Sequence, residues 1–339
     1  MKFLSGVIEI AGTKIARGER KQLRLQVSTS FVSRPTYIPI TVLHGKKRGP
    51  VVLITAAIHG DELNGIEIVR QLIYNFDMTH LSGTLICVPV VNIYGFQNTS
   101  RYLPEGKDLN RYFPGNSSHW SQGIYAHIIY NELVKKSNFV IDLHTASEGR
   151  RNLPHVRADM TNSDVARIAR AFGTTVILNK RGYEGTLRRA ATEDGIPAII
   201  FEAGEPRKFE RKISERGLQG VLNVLTELSM VRGEIYEAPL QFEIQESTWV
   251  RVDHGGILSI NVGPGRLVRK NAEIATNTNP FGVEVECVKA PFGGIVIGIA
   301  TSPTVTPGAG ICHIFKLEEP VKSVRSKLMS LYGKKRIVF

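Results

Sequence analysis

Residues 51–62, VVLITAAIHGDE, predict both a fold class and the position of a site. Residues 51–58 form an apolar run typical of a strand that is covered on both faces. The strand delivers His59 to its carboxyl end, where open α/β sheets bind ligands. Gly60 lets the chain turn sharply, so that Glu62 begins a helix and can point at the same spot as His59, as metal ligands must. The pattern His-x-x-Glu is common, and alone it is weak support for a metal site.

A second apolar strand, residues 139–144, also ends in a histidine. Catalytic zinc usually takes three protein ligands and leaves a position for water, so His144 is the candidate third ligand. Asp142 points the same way along the strand and can orient the site as an outer carboxylate. The alternative is a hydrogen-bonded histidine at a strand end, which the presence of His59 and Glu62 makes the weaker interpretation.

Strand patterns alternate with helical patterns up to about residue 232. This order predicts a mixed sheet between layers of helices, an α/β domain of three α/β/α layers over residues 1–234. The strands are predicted at residues 23–28, 37–43, 51–58, 84–91, 139–144, 175–178 and 198–201. The helices are predicted at residues 62–74, 120–136, 163–172, 185–193 and 215–230.

The pattern changes beyond residue 235 to short β runs between glycine and proline turns. It predicts a small all-β domain over residues 235–320 that caps the site, followed by a basic C-terminal tail over residues 321–339. The layout resembles the barrel-sandwich fold of lipoyl and biotinyl carrier domains. Those carriers present a modified lysine at a hairpin tip, whereas the hairpin at residues 279–282 has no lysine. A carrier function is therefore excluded.

Two further groups of polar residues are candidates for chemistry. Glu202 closes the apolar strand at residues 198–201, and a carboxylate there is costly unless paired or used, which makes it a candidate general base. Asn110 and Arg111 lie side by side in DLNRYFPG, residues 108–115. Such a pair suits bidentate capture of a carboxylate, although an arginine that braces the loop fits the pattern equally well.

The composition is that of a globular protein without disulfides. The chain has 339 residues, of which 42% are hydrophobic and 22% charged, enough for two domains with full cores. Its three cysteines are far apart and form no CxxC pair, which predicts a reducing, cytoplasmic compartment. No signal peptide and no membrane span is predicted.

The formal net charge of +12 is spread along the chain, with one concentration at residues 322–336. No nucleic-acid motif accompanies it, so a solvated basic face is favoured over binding to nucleic acid or a membrane. A second basic region, residues 180–189, suits a small anionic substrate. The sequence leaves a homo-oligomer open.

Four motifs, in this order, resemble the succinylglutamate desuccinylase/aspartoacylase family of zinc deacylases, which is related to the zinc carboxypeptidases. They are HGDE (59–62), SRYLPEGKDLNRYFPG (100–115), DLHTA (142–146) and GTLRRAATEDGIPAIIFEAGE (185–205). With the β-domain layout they touch nearly the whole chain. The resemblance implies a zinc-carboxypeptidase-like fold and hydrolysis of the linear amide bond of a small N-acyl amino acid or N-acyl amine.

The resemblance also implies roles for the candidate residues. One Zn²⁺ ion would be held by His59, Glu62 and His144, and zinc-bound water would attack the amide carbonyl. Arg101 would polarise that carbonyl and stabilise its oxyanion. Glu202 would act as general base and then as general acid.

Asn110 and Arg111 would hold a carboxylate of the small-molecule substrate. The chain departs from animal aspartoacylases, which carry a further substrate-binding arginine shortly before the catalytic glutamate. Here Arg188 and Arg189 lie several residues earlier in the sequence. The identity of the acyl group and of the amine is therefore not predicted.

Two other functions remain as alternatives. A zinc metallocarboxypeptidase would use the same ligands on a peptide, but it needs an open cleft rather than a capped site. A non-catalytic binding protein with a vestigial metal site would not need the complete set of ligands, base and arginines.

Overall fold

Strands and helices alternate through the first two thirds of the chain. A computed structural model of the protein describes residues 6–29, 32–118 and 121–332. The strands of this part are β1 (Val7–Ile10), β2 (Thr13–Ala16), β3 (Arg20–Thr29), β4 (Pro35–His44), β5 (Lys47–Ala56), β6 (Ser82–Val88), β7 (Phe139–His144), β8 (Arg150–Ala158), β9 (Val176–Asn179) and β10 (Ala198–Gly204). The helices are α1 (Asn64–Asn75), α2 (Ile93–Gln97), α3 (Ser121–Glu132), α4 (Ser163–Ala171), α5 (Leu187–Glu193) and α6 (Arg211–Glu227).

These strands build a mixed sheet in the order β8-β10-β7-β5-β6-β4-β3. The four strands β10, β7, β5 and β6 are parallel to one another, whereas β8 on one side and β4 on the other are antiparallel to them. The mixed sheet predicted from the sequence is therefore confirmed. Its parallel centre brings the carboxyl ends of four strands to one edge.

Alternate residues of β5 enter two different cores. Val52 and Ile54 pack in a cluster with residues of α1, α4 and α6. Val51 and Leu53 pack in a second cluster, with residues of α3 and α5. Because the side chains of a strand point to opposite faces in turn, the sheet lies between two helical layers. This confirms the predicted three-layer α/β/α arrangement.

The remaining part is all-β until its last helix. Its elements are β11 (Phe242–Ile244), β12 (Ser247–Arg251), β13 (Gly256–Ile260), β14 (Leu267–Val268), β15 (Glu273–Thr278), β16 (Glu284–Lys289), β17 (Gly294–Ala300), β18 (Thr304–Val305), β19 (Gly310–Lys316) and α7 (Val321–Tyr332). The strands β16-β15-β13-β18 form a separate sheet, and a third core lies between it and β12, β17 and β19. The predicted all-β region, called the β region below, is confirmed.

The large sheet does not stop where the β region begins. β17 pairs antiparallel with β8, and β19 and β12 follow it, so in the described part of the chain one sheet of 13 strands runs through both parts. The domain boundary near residue 234 stays a prediction. The residues predicted as a basic tail begin with α7, and residues 333–339 lie outside the described part of the chain.

Most predicted elements agree with the structure to within a few residues at each end, but β8 was not predicted. Its sequence, RRNLPHVRA, carries too many polar residues to resemble a central strand, although it lies between β10 and β17. The helix predicted at residues 120–136 is α3 followed by a short turn, and Trp120 lies outside the described residues. Within the described residues, no helix is both long and apolar enough to cross a membrane.

Candidate metal centre and active site

Two neighbouring parallel strands place the first candidates side by side. β5 and β7 pair with Ala56 opposite Leu143, so His144, the last residue of β7, lies beside the turn that follows β5. In that turn the amide N–H of Glu62 donates to the carbonyl of His59 at 3.1 Å. The structure therefore brings these three residues together at one edge of the sheet, as predicted.

Gly60 serves this turn in a different way from the one predicted. Its φ lies outside the left-handed region, and the residue with a positive φ here is Ala57, at 51°. A β carbon on Gly60 would lie 1.9 Å from the carbonyl carbon of Gly95. The glycine is needed because another segment of backbone approaches it, rather than because the turn requires its conformational freedom.

The side chains of His59, Glu62 and His144, called the ligand triad below, converge on one point. One ligand atom from each lies within 4.8 Å of the others, and all three residues are buried. Glu62 Oε1 is 2.7 Å from His59 Nδ1, and Glu62 Oε2 is 2.9 Å from His144 Nδ1. Two imidazole nitrogens and one carboxylate are a donor set of catalytic zinc sites, so these side chains fit a zinc ion.

Each imidazole also contacts a carboxylate that lies outside the triad. Asp142 Oδ2 lies 2.7 Å from His144 Nε2, and its other oxygen accepts a hydrogen bond from Thr55 Oγ1 at 2.8 Å. Asp108 Oδ1 lies 3.2 Å from His59 Nε2. Such outer carboxylates accept a hydrogen bond from Nε2–H, which leaves the Nδ1 lone pair free to bind a metal. The sequence predicted this position for Asp142 but assigned no role to Asp108.

The charged groups of the triad shift one another's pKa values. Burial alone would raise the pKa of Glu62, but His59 and His144 outweigh it and hold this pKa well below its ordinary value. Burial would lower the pKa of His144, but Asp142 and Glu62 raise it well above the ordinary value. Each of these shifts favours the charged form of the group. A divalent cation would likewise be stabilised by the Glu62 carboxylate.

Arg101 reaches the triad from the loop before Asp108. Its Nη1 lies 3.2 Å from Glu62 Oε1, and its Nη2 lies 2.9 Å from Asp108 Oδ2. The guanidinium side chain is 22% exposed, so it faces the solvent side of the buried cluster. The structure therefore brings Arg101 to the triad, where the family resemblance implied it would act.

Glu202 lies on the next strand. β10 pairs in parallel with β7, and Glu202 is opposite His144. Its carboxylate is held by two side chains of β8: Asn152 Nδ2 donates to Oε2 at 2.9 Å, and Arg157 Nε lies 3.2 Å from Oε1. The sequence did not predict Asn152 and Arg157 as site residues, because β8 lacks the pattern of a strand. The polar, arginine-rich run directly after DLHTA was the available signal.

Asn110 and Arg111 contact the segment at the start of α5. Asn110 is buried, and its side-chain oxygen accepts the amide N–H of Leu187 at 2.9 Å, which joins this loop to α5. Arg111 is exposed; its Nη1 donates to the carbonyl of Asn110 at 2.8 Å, and its guanidinium lies 5.5 Å from the ring centre of Tyr183. These contacts favour a structural role for Asn110 and leave the Arg111 charge accessible.

Of the two arginines of α5, only Arg188 is buried, with 4% of its surface exposed. Its Nη1 donates to the carbonyl of Lys180 at 2.8 Å, and its Nε has no hydrogen-bond partner within the described residues. Burial, and then the Arg157 cation, lower the pKa of Arg188 to about 10. Arg189, by contrast, is paired with Glu193 at 2.8 Å.

Comparison with known proteins agrees with this architecture. The chain is 28% identical, over 253 residues, to the N-α-acetyl-L-2,4-diaminobutyric acid deacetylase of Halomonas elongata; the match covers 70% of this chain and 73% of that protein. The product-bound ectoine utilization protein of Ruegeria pomeroyi superposes with a TM-score of 0.80 at 22% identity, over 89% of this chain and 96% of that one.

A succinylglutamate desuccinylase from Silicibacter sp. TM1040 superposes with a TM-score of 0.77 at 23% identity, over 88% of this chain and 95% of that one. At this level of identity the superpositions establish the fold. Residues 48–228, more than half of the chain, match the succinylglutamate desuccinylase/aspartoacylase catalytic domain. The segment contains the ligand triad, Arg101 and Glu202. The chain therefore belongs to the succinylglutamate desuccinylase/aspartoacylase family of deacylases.

Proposed function

We propose that this protein is a zinc-dependent hydrolase that cleaves the amide bond of a small N-acyl amino acid or N-acyl amine. The observation that carries the proposal is the buried ligand triad, in which both imidazoles present Nδ1 to Glu62 and Nε2 to an outer carboxylate. This arrangement lies at the carboxyl edge of the sheet in a chain that belongs to a family of deacylases.

His59, Glu62 and His144 would hold one zinc ion. Zinc in a site of this kind polarises a carbonyl oxygen and makes water a stronger nucleophile at neutral pH. The chain's own residues provide the rest. The Arg101 guanidinium, next to Glu62, is placed to stabilise negative charge that develops on the carbonyl oxygen.

Glu202 would accept a proton from the attacking water and return it to the leaving amine. Its position opposite His144 supports this role, because both residues lie toward the carboxyl ends of neighbouring parallel strands, at the same edge of the sheet. Asn152 and Arg157 hold the carboxylate in a fixed orientation, which a group that moves a proton in one geometry requires.

The substrate would carry a carboxylate. The Arg111 guanidinium lies over the ring of Tyr183, and the chain segment that contains Tyr183 also carries the exposed Lys180, so positive charge here would attract an anion. The relative from Halomonas elongata is a deacetylase of an acylated diamino acid, which supports a small acyl amino acid as substrate. Arg111, whose charge is accessible, is the residue proposed to bind the carboxylate.

The β region would restrict access to the site. Contacts near Glu202 support this: the amide N–H of Thr301 donates to the carbonyl of Gly149 at 2.7 Å, and Thr301 Oγ1 donates to Glu205 at 3.0 Å. If the β region covers the site on this side, the substrate would be a small molecule rather than a peptide.

The decisive experiment is an assay of purified protein against N-acetyl and N-succinyl amino acids, including acetylated 2,4-diaminobutyrate, and against dipeptides with free carboxyl ends. Hydrolysis of an acyl amino acid should disappear after chelation and return with zinc. His144→Ala should contain no zinc and show no activity. Cleavage of dipeptides alone would assign the protein to the metallocarboxypeptidases. Activity that survives complete removal of metal would contradict the proposal.

A further inference from the structure

The orientation of the Glu202 carboxylate depends on a strand that also borders the β region. Asn152 and Arg157, the two donors to Glu202, both belong to β8, which pairs with β10 on one side. On its other side β8 pairs with β17 of the β region, and there Gly298 is the partner of Asn152. Asn152 therefore lies between Glu202 and Gly298.

Gly298 leaves the space that the Asn152 side chain occupies. A β carbon on Gly298 would lie 2.8 Å from Asn152 Oδ1, which is closer than such atoms approach. Its next neighbours, in His313 and Trp249, would lie at 3.5 and 3.6 Å, which are ordinary contacts. The atom that must move is thus Oδ1 of the Asn152 amide, and the nitrogen of the same amide, Nδ2, donates to Glu202.

The backbone of Gly298 does not itself require glycine. Its φ lies outside the left-handed region, where only glycine is comfortable, so alanine can adopt this conformation. The pairing of β17 with β19 is irregular between Val296 and Gly298, and glycine in a strand often marks such a site of close approach. What the glycine supplies here is room for the Asn152 amide.

We propose that Gly298 is a positioning residue for Glu202, acting through Asn152. The proposal rests on the proposed role of Glu202 as general base. The absent side chain lets the Asn152 amide lie with its oxygen toward β17 and its nitrogen on Glu202 Oε2. The β region thereby determines the orientation of a carboxylate that lies outside it.

Three variants test the proposal: Gly298→Ala, Asn152→Ala and the double variant. Gly263→Ala is the matched control, because it adds the same methyl group to the β region where nothing lies within 4 Å. For each, kcat, KM, zinc content and melting temperature are measured. Glu202→Gln is included as the reference for loss of the base.

Both single variants should lower kcat by about ten- to a hundredfold, since a misplacement of about 1 Å at a reacting group has effects of this size. KM and zinc content should stay near those of the unsubstituted protein, because the substrate and metal contacts are elsewhere. The double variant should have the kcat of Asn152→Ala alone, because the added methyl group then has no amide to displace. Gly263→Ala should behave as the unsubstituted protein.

Losses that multiply in the double variant would overturn the proposal, since they would mean that Gly298 acts independently of Asn152. Unchanged kcat in Gly298→Ala would overturn it as well. If Gly298→Ala does not fold, the double variant decides: it should fold and match Asn152→Ala, and failure to do so counts against the proposal.

Glu202→Gln distinguishes an error in the positioning role of Gly298 from an error in the general-base role of Glu202. If it loses activity while Asn152→Ala and Gly298→Ala keep theirs, only the positioning role is wrong. If Glu202→Gln itself keeps activity, the assignment of the general base is wrong, and the positioning role falls with it.

Discussion

Each candidate ligand histidine is fixed by a carboxylate that does not itself belong to the triad. The sequence predicted the triad and Asp142, because both histidines end apolar strands and Asp142 precedes His144 by two residues. It could not predict Asp108, which lies 49 positions from His59 and meets it only through the loop that carries Arg101. Contacts of this kind depend on how a loop folds back, and no periodic pattern encodes them.

Asp142→Asn should weaken zinc binding about ten- to a hundredfold, the usual effect of losing an outer carboxylate behind a metal ligand. The negative charge that Asp142 places beside His144 Nε2 is lost, so His144 becomes a less basic ligand for the metal. Zinc affinity measured by competition with a chelator checks this. Asp164→Asn, on the exposed start of α4, is the control. Equal affinities of the two variants would mean that Asp142 does not support the metal site.

Arg111→Ala should discriminate between substrates by their charge. Because Arg111 is exposed, its loss should cost about 2 kcal/mol at most, or roughly thirtyfold in kcat/KM, on acyl amino acids with a free carboxylate. The corresponding amides should be nearly unaffected. Arg70→Ala, an exposed arginine of α1, is the control. Equal losses on both kinds of substrate would show that Arg111 acts through the structure of its loop.

Among the elements, β8 shows best why part of the site was not predictable. Its burial alternates irregularly, and it carries Asn152, His155 and Arg157 where a central strand normally carries aliphatic residues. The polar side chains are satisfied by Glu202 and by one another, which is visible only once β10 lies beside them. The apolar strands β5, β7 and β10 were predictable because hydrophobic burial alone determines them.

His155 of β8 should make the protein less stable in mild acid. Burial, and then the Arg157 cation, lower the pKa of His155 to about 3, so the folded protein keeps this ring neutral. The ring donates from Nδ1 to the carbonyl of Leu153 at 2.8 Å and accepts from Arg157 Nε at Nε2. The unfolded chain binds a proton near pH 6.5, so the stability is intact above that pH and is lost as the pH falls toward 3.

Each pH unit in this window should cost up to about 1.4 kcal/mol of unfolding free energy. Denaturant unfolding at pH 7 and pH 5 measures it. His155→Phe should be less stable at pH 7 but show a smaller loss between the two pH values. His80→Gln, at an exposed histidine, should retain the full loss. A slope unchanged in His155→Phe would show that other groups cause the acid sensitivity.

At the scale of the whole molecule, one sheet joins both parts of the chain. β17 and β19 extend the central sheet, and Phe315 of β19 packs its ring against that of His155. The sequence predicted two consecutive domains, because composition changes abruptly near residue 235. It could not show that the strands on either side of this change pair with each other, since pairing between distant segments leaves no local pattern.

The full chain should therefore unfold in one cooperative transition. Helices α1 to α6 all precede residue 235, so far-ultraviolet circular dichroism reports mainly on the first part. In a Trp120→Phe variant, fluorescence reports only on Trp249 of β12, because the chain has two tryptophans. The two signals should change at the same denaturant concentration. Separate midpoints would show that the two parts unfold independently.

The pairing of β8 with β17 also limits how this protein can be recombined with its relatives. A chimera that replaces residues 235–320 with the β region of another deacylase would put a foreign residue opposite Asn152. Any side chain there would push against the amide that holds Glu202, even if each half folded correctly. A functional crossover therefore has to keep a glycine opposite Asn152.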